Sequence, residues 1–217
     1  MKIGIIGASG RLGSEVVKLF NEKDHQIVFA YDLDGEWKND KPEVLIDCSL
    51  PLVFDKSVGY ACDFNVPFVI ATTGLNDNNL ELIQNYSKKF PIVQSYNFSV
   101  GIQVLLKLTE TTRAILPDWD VEITETHHRF KKDKPSGTVK MIQKIFIGKE
   151  INTSSLRLGN VPGDHTVSFG GLGEVLTISH RALSRRTFAE GILLSAQFVI
   201  RKRSGFYYFK DVVFGDK

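Results

Sequence analysis

The feature that most limits how this chain can fold lies near its start. Lys2 to Ile6 is a short, branched apolar run that ends in Gly7, Ala8, Ser9, Gly10, Arg11, Leu12 and Gly13. From Glu15 to Phe20, apolar residues then recur at helical spacing through Val16, Val17, Leu19 and Phe20. The pattern reads as strand, glycine-rich turn, helix. Glycines allow so tight a turn and let backbone N–H groups approach a pyrophosphate at the helix start. The spacing is Gly-x-x-Gly-x-x-Gly, not the commoner Gly-x-Gly-x-x-Gly. The next strand pattern, Ile27 to Tyr31, ends at Asp32. That lies about 20 residues past the turn, where a carboxylate meets the ribose hydroxyls of an adenine dinucleotide. The alternative is that Asp32 only opens a polar loop.

Three more short apolar runs follow, Val44 to Ile46, Val66 to Ala71 and Pro91 to Val93, separated by helical patterns such as Asn79 to Phe90. Strands alternating with helices imply parallel crossovers and a Rossmann-type doubly wound α/β sheet. Ligands of such sheets bind beyond the carboxyl ends of the strands. The loops there are Asp47-Cys48-Ser49, Thr72-Thr73-Gly74 and Ser95-Tyr96-Asn97-Phe98-Ser99. Leu33 follows Asp32, where an arginine would suit a 2′-phosphate. The pattern therefore leans toward NADH over NADPH, although Lys38 or Lys41 can reach a phosphate by folding back.

The second half carries the densest chemistry. Trp119, Val121 and Ile123 alternate as in a strand, and Val139, Met141, Ile142, Ile145 and Phe146 recur as on an amphipathic helix. Between them lies Glu125-Thr-His-His-Arg-Phe-Lys-Lys-Asp-Lys-Pro-Ser-Gly-Thr138. A helix start favours an anion, and the imidazoles with Lys131 and Lys132 add positive charge. The place suits a small, multiply charged acid. Val100 to Leu116 is a long helical pattern, and Leu156 to Leu158, Thr166 to Phe169 and Val175 to His180 alternate like strands of an open mixed sheet. Such a sheet is expected to have an apolar face needing cover. Phe188 to Ile200 reads as a last helix and Gly205 to Val213 as strand-like.

The Glu-x-His-His-x-x-Lys-x-Asp-x-Pro-Ser-Gly-Thr pattern closely resembles the signature of the dihydrodipicolinate reductase family, and the resemblance extends over essentially the whole chain. It implies an NAD(P)H-dependent oxidoreductase of the diaminopimelate route to lysine. The implied reaction converts 4-hydroxy-2,3,4,5-tetrahydrodipicolinate, or its dehydrated form, to tetrahydrodipicolinate. By the same resemblance His127 is the proton donor and Lys131 the second catalytic residue. His128, Gly137 and Thr138 are substrate-binding. The cofactor contacts are Gly7, Ala8, Ser9, Gly10, Arg11, Leu12, Asp32, Ala71, Thr72, Thr73, Ser95, Tyr96, Asn97 and Phe98. The family usually has glycine where this chain has Ala71, and often another histidine where it has Phe130. Residues 33–43 look like a compressed loop where others carry an extra helix. The family's organisation implies residues 1–99 and 186–217 as the dinucleotide-binding domain. Residues 100–185 form the inserted α+β domain for substrate binding and homotetramer assembly, with hinges near Ser99 and Arg186. Arg185 and Phe188 are placed near the cofactor.

The alternatives are another small-acid dehydrogenase on the same fold and a nucleotide-sensing regulator without catalysis. The intact segment argues against the first, and retention of His127 and Lys131 against the second. A formal net charge of +2 gives no reason to expect nucleic acid. No apolar run reaches the roughly 20 residues of a membrane span, and a strand pattern begins at once with no leader-type cleavage site. A cytoplasmic protein is expected. Cys48 and Cys62 read as buried free thiols. No metal is expected, because adjacent histidines lack one-face ligand spacing and no third ligand is evident.

Overall fold

Four buried residues in succession make β1 (Lys2–Ile6) a central strand, apolar on both faces. In the computed structural model, which describes residues 1–215, it leads through the glycine turn into α1 (Gly13–Glu22) and β2 (Gln26–Asp32). Then come β3 (Gly35–Lys38), β4 (Val44–Asp47), α2 (Phe54–Phe64), β5 (Phe68–Ile70), α3 (Asp77–Ser87) and β6 (Pro91–Gln94). The segment 33–43 is thus not only a loop. β3 pairs antiparallel with β2, Asp32 lying opposite Gly35. Its four residues are all exposed, so it has no apolar signature by which sequence reading finds a strand.

The chain divides into two units: Met1–Phe98 with everything from Arg186 onward, and Ser99–Arg185. Ser99 falls in the second unit because it caps α4 (Val100–Ile115), its Oγ accepting from the Ile102 N–H. The second unit continues with β7 (Asp120–His127), α5 (Gly137–Gln143), β8 (Asn152–Arg157), β9 (Asp164–Gly170) and β10 (Val175–Arg181). Its sheet has the order β10-β9-β7-β8, with β7 and β8 parallel and the other pairs antiparallel. The parallel pair needs a crossover, which α5 supplies. Helices α4 and α5 cover one face, where Leu105, Ile123, Val139, Ile142, Val167 and Phe169 form the core. The other face is not the apolar surface expected. Period-two alternation places hydroxyls there, paired as Thr166 with Ser179 at 3.0 Å and Ser154 with Glu122 at 2.9 Å.

On its return the chain forms α6 (Arg186–Val199), β11 (Gly205–Tyr208) and α7 (Phe209–Phe214). The strand-like stretch therefore stops at Tyr208, short of Val213. Asp211 ends it: its carboxylate accepts the Tyr208 N–H at 2.8 Å and starts a helix. The first sheet has the order β11-β6-β5-β4-β1-β2-β3 and is parallel except for β3. α1 and α6 cover one face with Val16, Phe20, Ile192 and Ala196, while α2 supplies Phe54 and Ala61 to the other. This is the doubly wound arrangement, with a separate mixed sheet in the second unit.

Candidate active site

In the first unit the parallel strands end on one edge, and contacts join the loops that follow them. Gly7 has φ +81°, and a Cβ there would come within 2.8 Å of the Cys48 carbonyl oxygen. A Cβ on Gly13 would lie 1.9 Å from the Gly7 oxygen, so the turn can close only with glycine there. The Ser9 hydroxyl donates to Asp32 at 2.8 Å, and the Ser9 N–H also reaches that carboxylate. Ala71 N–H donates to the Asp47 oxygen at 2.8 Å, and Ser95 N–H to the Ile70 oxygen at 3.3 Å. The Ser95 hydroxyl donates to the Asn97 oxygen, tying that loop together. α1 starts without a side-chain cap, whereas α3, α4 and α5 start on Asn76, Ser99 and Ser136, which accept from the first turn. Two orphaned oxygens, Asp47 Oδ2 and Thr72 Oγ1, are buried beside these loops. Burial pushes the Asp47 carboxyl up, against the pull of the Ser49 donors.

Not every expected contact offers a side chain to this edge. Gly10, Arg11 and Thr73 are exposed and Ala8, Leu12, Tyr96 and Asn97 half-buried, but Phe98 is 3% exposed and packs on Phe209. The Phe98 carbonyl packs closely on Gly191 of α6, where a Cβ would lie 1.7 Å from it. Cys48 and Cys62 are free but part-buried, not buried. Arg181 pairs with Asp164 at 2.9 Å and Arg186 with Glu22 at 2.7 Å.

In the second unit, period two along β7 buries Ile123, Glu125 and His127 on one face. Register then builds a polar row across the sheet, because Glu125 lies opposite Ser155 of β8 and His165 of β9, and His165 opposite His180 of β10. Glu125 is fully buried. Its Oε1 accepts from the Ser155 hydroxyl at 2.6 Å, the Ser136 N–H at 3.2 Å and Arg157 Nη2 at 3.2 Å. Its Oε2 lies 3.3 Å from His127 Nδ1 and 3.9 Å from His165 Nε2. Burial alone would favour the neutral acid, but His127 and the Ser136 and Ser155 donors outweigh it and hold the carboxyl far below its ordinary range. Burial, then His127, pushes His165 down to about 3, so it is neutral near pH 7.

His127 and His128 are buried at 6% and 8% exposure, so neither is the solvated histidine a strand end usually carries. Lys131 pairs with Asp133 at 2.8 Å, and any anion reaching its ammonium must share it. Gly137 and Thr138 open α5 behind the Ser136 cap, whose side chain accepts the Val139 N–H, and Thr138 is buried. Phe130 is 67% exposed. Arg157 ties the segment down, donating to the Lys131 and Asp133 carbonyls as well as to Glu125.

Sequence reading assigned no role to Glu125, Ser136, Ser155, Arg157 or His165. Counting in twos from Ile123 would have marked Glu125 as inward-facing; the partners needed the register. The same register answers the question of a third ligand. Among the described residues, Glu125, His127 and His165 bring candidate metal-ligand atoms within 4.8 Å of one another. The Arg157 guanidinium on the same carboxylate opposes a cation there.

A dinucleotide-type sheet in one unit, and in the other a buried histidine pair and carboxylate with the part-buried Lys131 in the same segment, fit one class: an oxidoreductase with a nicotinamide cofactor and a small-molecule substrate. The chain belongs to the dihydrodipicolinate reductase family, whose N-terminal pattern matches residues 1–98 and whose C-terminal pattern matches residues 101–213. It is 45% identical over 213 residues to the 4-hydroxy-tetrahydrodipicolinate reductase of Thermosipho africanus (strain TCF52B), covering 98% of both chains. The protein of that name from Rickettsia rickettsii (strain Sheila Smith) is 35% identical over 237 residues, again covering 98% of both. In fold the chain resembles a dipicolinate-bound dihydrodipicolinate reductase from Paenisporosarcina sp. TG-14, with TM-score 0.76 and 23% identity. That match covers 96% of this chain and 97% of the other. Among the described residues no helix is long and apolar enough to cross a membrane.

Proposed function

We propose that the protein reduces 4-hydroxy-tetrahydrodipicolinate, or its dehydrated form, to tetrahydrodipicolinate in the diaminopimelate route to lysine. The observation that carries this reading is the buried His127–His128 pair beside Lys131 and the α5 start, in a chain that matches the family from end to end. The first unit is the dinucleotide-binding domain and the second the substrate and assembly domain. Gly7 to Leu12, Asp32, Ala71 to Thr73 and Ser95 to Phe98 hold the cofactor. When bound, the reduced nicotinamide supplies a hydride. His127 gives a proton from Nε2 to the ring, histidine being the side chain suited to that near neutral pH. Lys131 holds one substrate carboxylate and offsets developing negative charge; His128, Gly137 and Thr138 orient the other.

Asp32 favours NADH. Its carboxylate, placed by Ser9, accepts from a ribose hydroxyl and repels a 2′-phosphate, while Leu33 next to it is 89% exposed and brings no charge. The protein is a cytoplasmic homotetramer assembled through the hydroxyl-lined face of the second sheet. Exposed Val175 at its edge and Leu156 on that face support such pairing.

The test is loss of reduced-nicotinamide absorbance with substrate made in situ from pyruvate and aspartate semialdehyde by the preceding synthase. NADH and NADPH are supplied separately. Oxidation should require both proteins and run faster with NADH. His127→Ala should lower kcat by about 10²-fold or more with cofactor affinity nearly unchanged. Turnover near that of the parent would remove the proton-donor role, and no oxidation by protein that binds NADH would remove the substrate.

A further inference from the structure

We propose that Glu125 is the positioning residue for the proton donor: it holds Nδ1 of His127 against a carboxylate and aims Nε2 at the substrate. This rests on the reading of His127 as proton donor.

The two oxygens of Glu125 keep different company. Oε1 accepts from the Ser155 hydroxyl, the Ser136 N–H and Arg157. Three donors on one oxygen lock the carboxylate's rotation and favour its ionised form. Among the described residues no hydrogen bond is made to Oε2, which faces the His127 ring with Nδ1 at 3.3 Å. The other nitrogen is kept clear. A Cβ on Gly163 would stand 3.1 Å from Nε2, so the absent side chain preserves room there.

The charges around the ring are consistent with this role. Arg157 approaches from β8 but sits on Glu125. Lys131 and Asp133, from the loop before α5, pair with each other. His165 of β9 packs edge-on to His127, with ring centroids 5.0 Å apart, and is held neutral; His180 of β10 lies beyond it. Glu125 is therefore the carboxylate against the ring. When the proton leaves, the Nε2–H bond breaks, its electron pair stays on nitrogen, and the proton bonds to the ring atom made electron-rich by hydride addition. His127 becomes neutral with Nδ1–H still facing Oε2.

The experiment compares kcat and KM of the parent, Glu125→Gln, His127→Asn and the double variant. Glu125→Gln should lower kcat about tenfold or more with KM little changed. In the His127→Asn background it should have no further effect. A parent-like kcat, or an equal loss in both backgrounds, overturns the proposal while leaving the proton-donor reading intact. Parent-like turnover of His127→Asn overturns both. If Glu125→Gln does not fold, the parent labelled with ¹⁵N-histidine decides by NMR. At alkaline pH, a neutral His127 ring with its proton on Nδ1 supports the proposal, and a proton on Nε2 overturns it.

Discussion

At the scale of single residues, one carboxylate ties the end of a strand to the glycine turn. Asp32 ends β2 and is held by Ser9 from the glycine turn, so strand end and turn act as one unit. Tyr31, the residue before it, accepts the Gly7 N–H at 2.8 Å, which keeps that pair in register. Removing the carboxylate should relax the preference between the two nicotinamide dinucleotides. Asp32→Ser is expected to shift the NADH to NADPH ratio of kcat/KM toward NADPH by about tenfold, or ~1.4 kcal/mol. An unchanged ratio would show that position 32 does not face the ribose. Ser9 and Asp32 were both expected as contacts from the sequence, because turn spacing and strand length are local properties. Their mutual hydrogen bonds were not legible, since they depend on where the strand end meets the turn.

At the scale of elements, the second sheet carries an acid-sensitive row. His165 is pushed down to about 3 from 6.5, so between those values the unfolded chain binds a proton that the folded chain does not. Stability is full above about pH 6.5 and falls as pH drops through that window. Glu125 acts with the same sign below its ordinary value of 4.5, staying ionised in the fold while the unfolded chain takes up a proton. Chemical unfolding followed from pH 7 to pH 4 should show the midpoint falling with acid, by at most ~1.4 kcal/mol per pH unit for each proton difference. His165→Asn should flatten the slope between pH 6.5 and 4.5. An identical slope in parent and variant would mean that the row is not the acid-labile part. Period two in β7 and β9 makes the inward positions legible, but which of them lie side by side is a matter of pairing.

At the scale of the whole molecule, the assembly proposal makes a direct prediction. Light scattering at micromolar concentration should give about four times the chain's mass of 24.4 kDa. A monomer mass would leave the hydroxyl-lined face of the second sheet as solvent surface, as its Ser and Thr pairs also allow. The sequence by itself determined the alternation of strands and helices, the glycine turn, and the position of the His127–Lys131 segment between a strand and a helix. Those features are written in residues a few positions apart: apolar period, φ requirements and helix capping. Only the tertiary structure decided that β3 pairs with β2 and that the second sheet's free face is hydroxylated. It alone brought Arg157 and His165 to Glu125, which they follow by 32 and 40 positions. No local period encodes that meeting. Strand register sets which side chains share a row, and burying the row makes its charges dependent on one another.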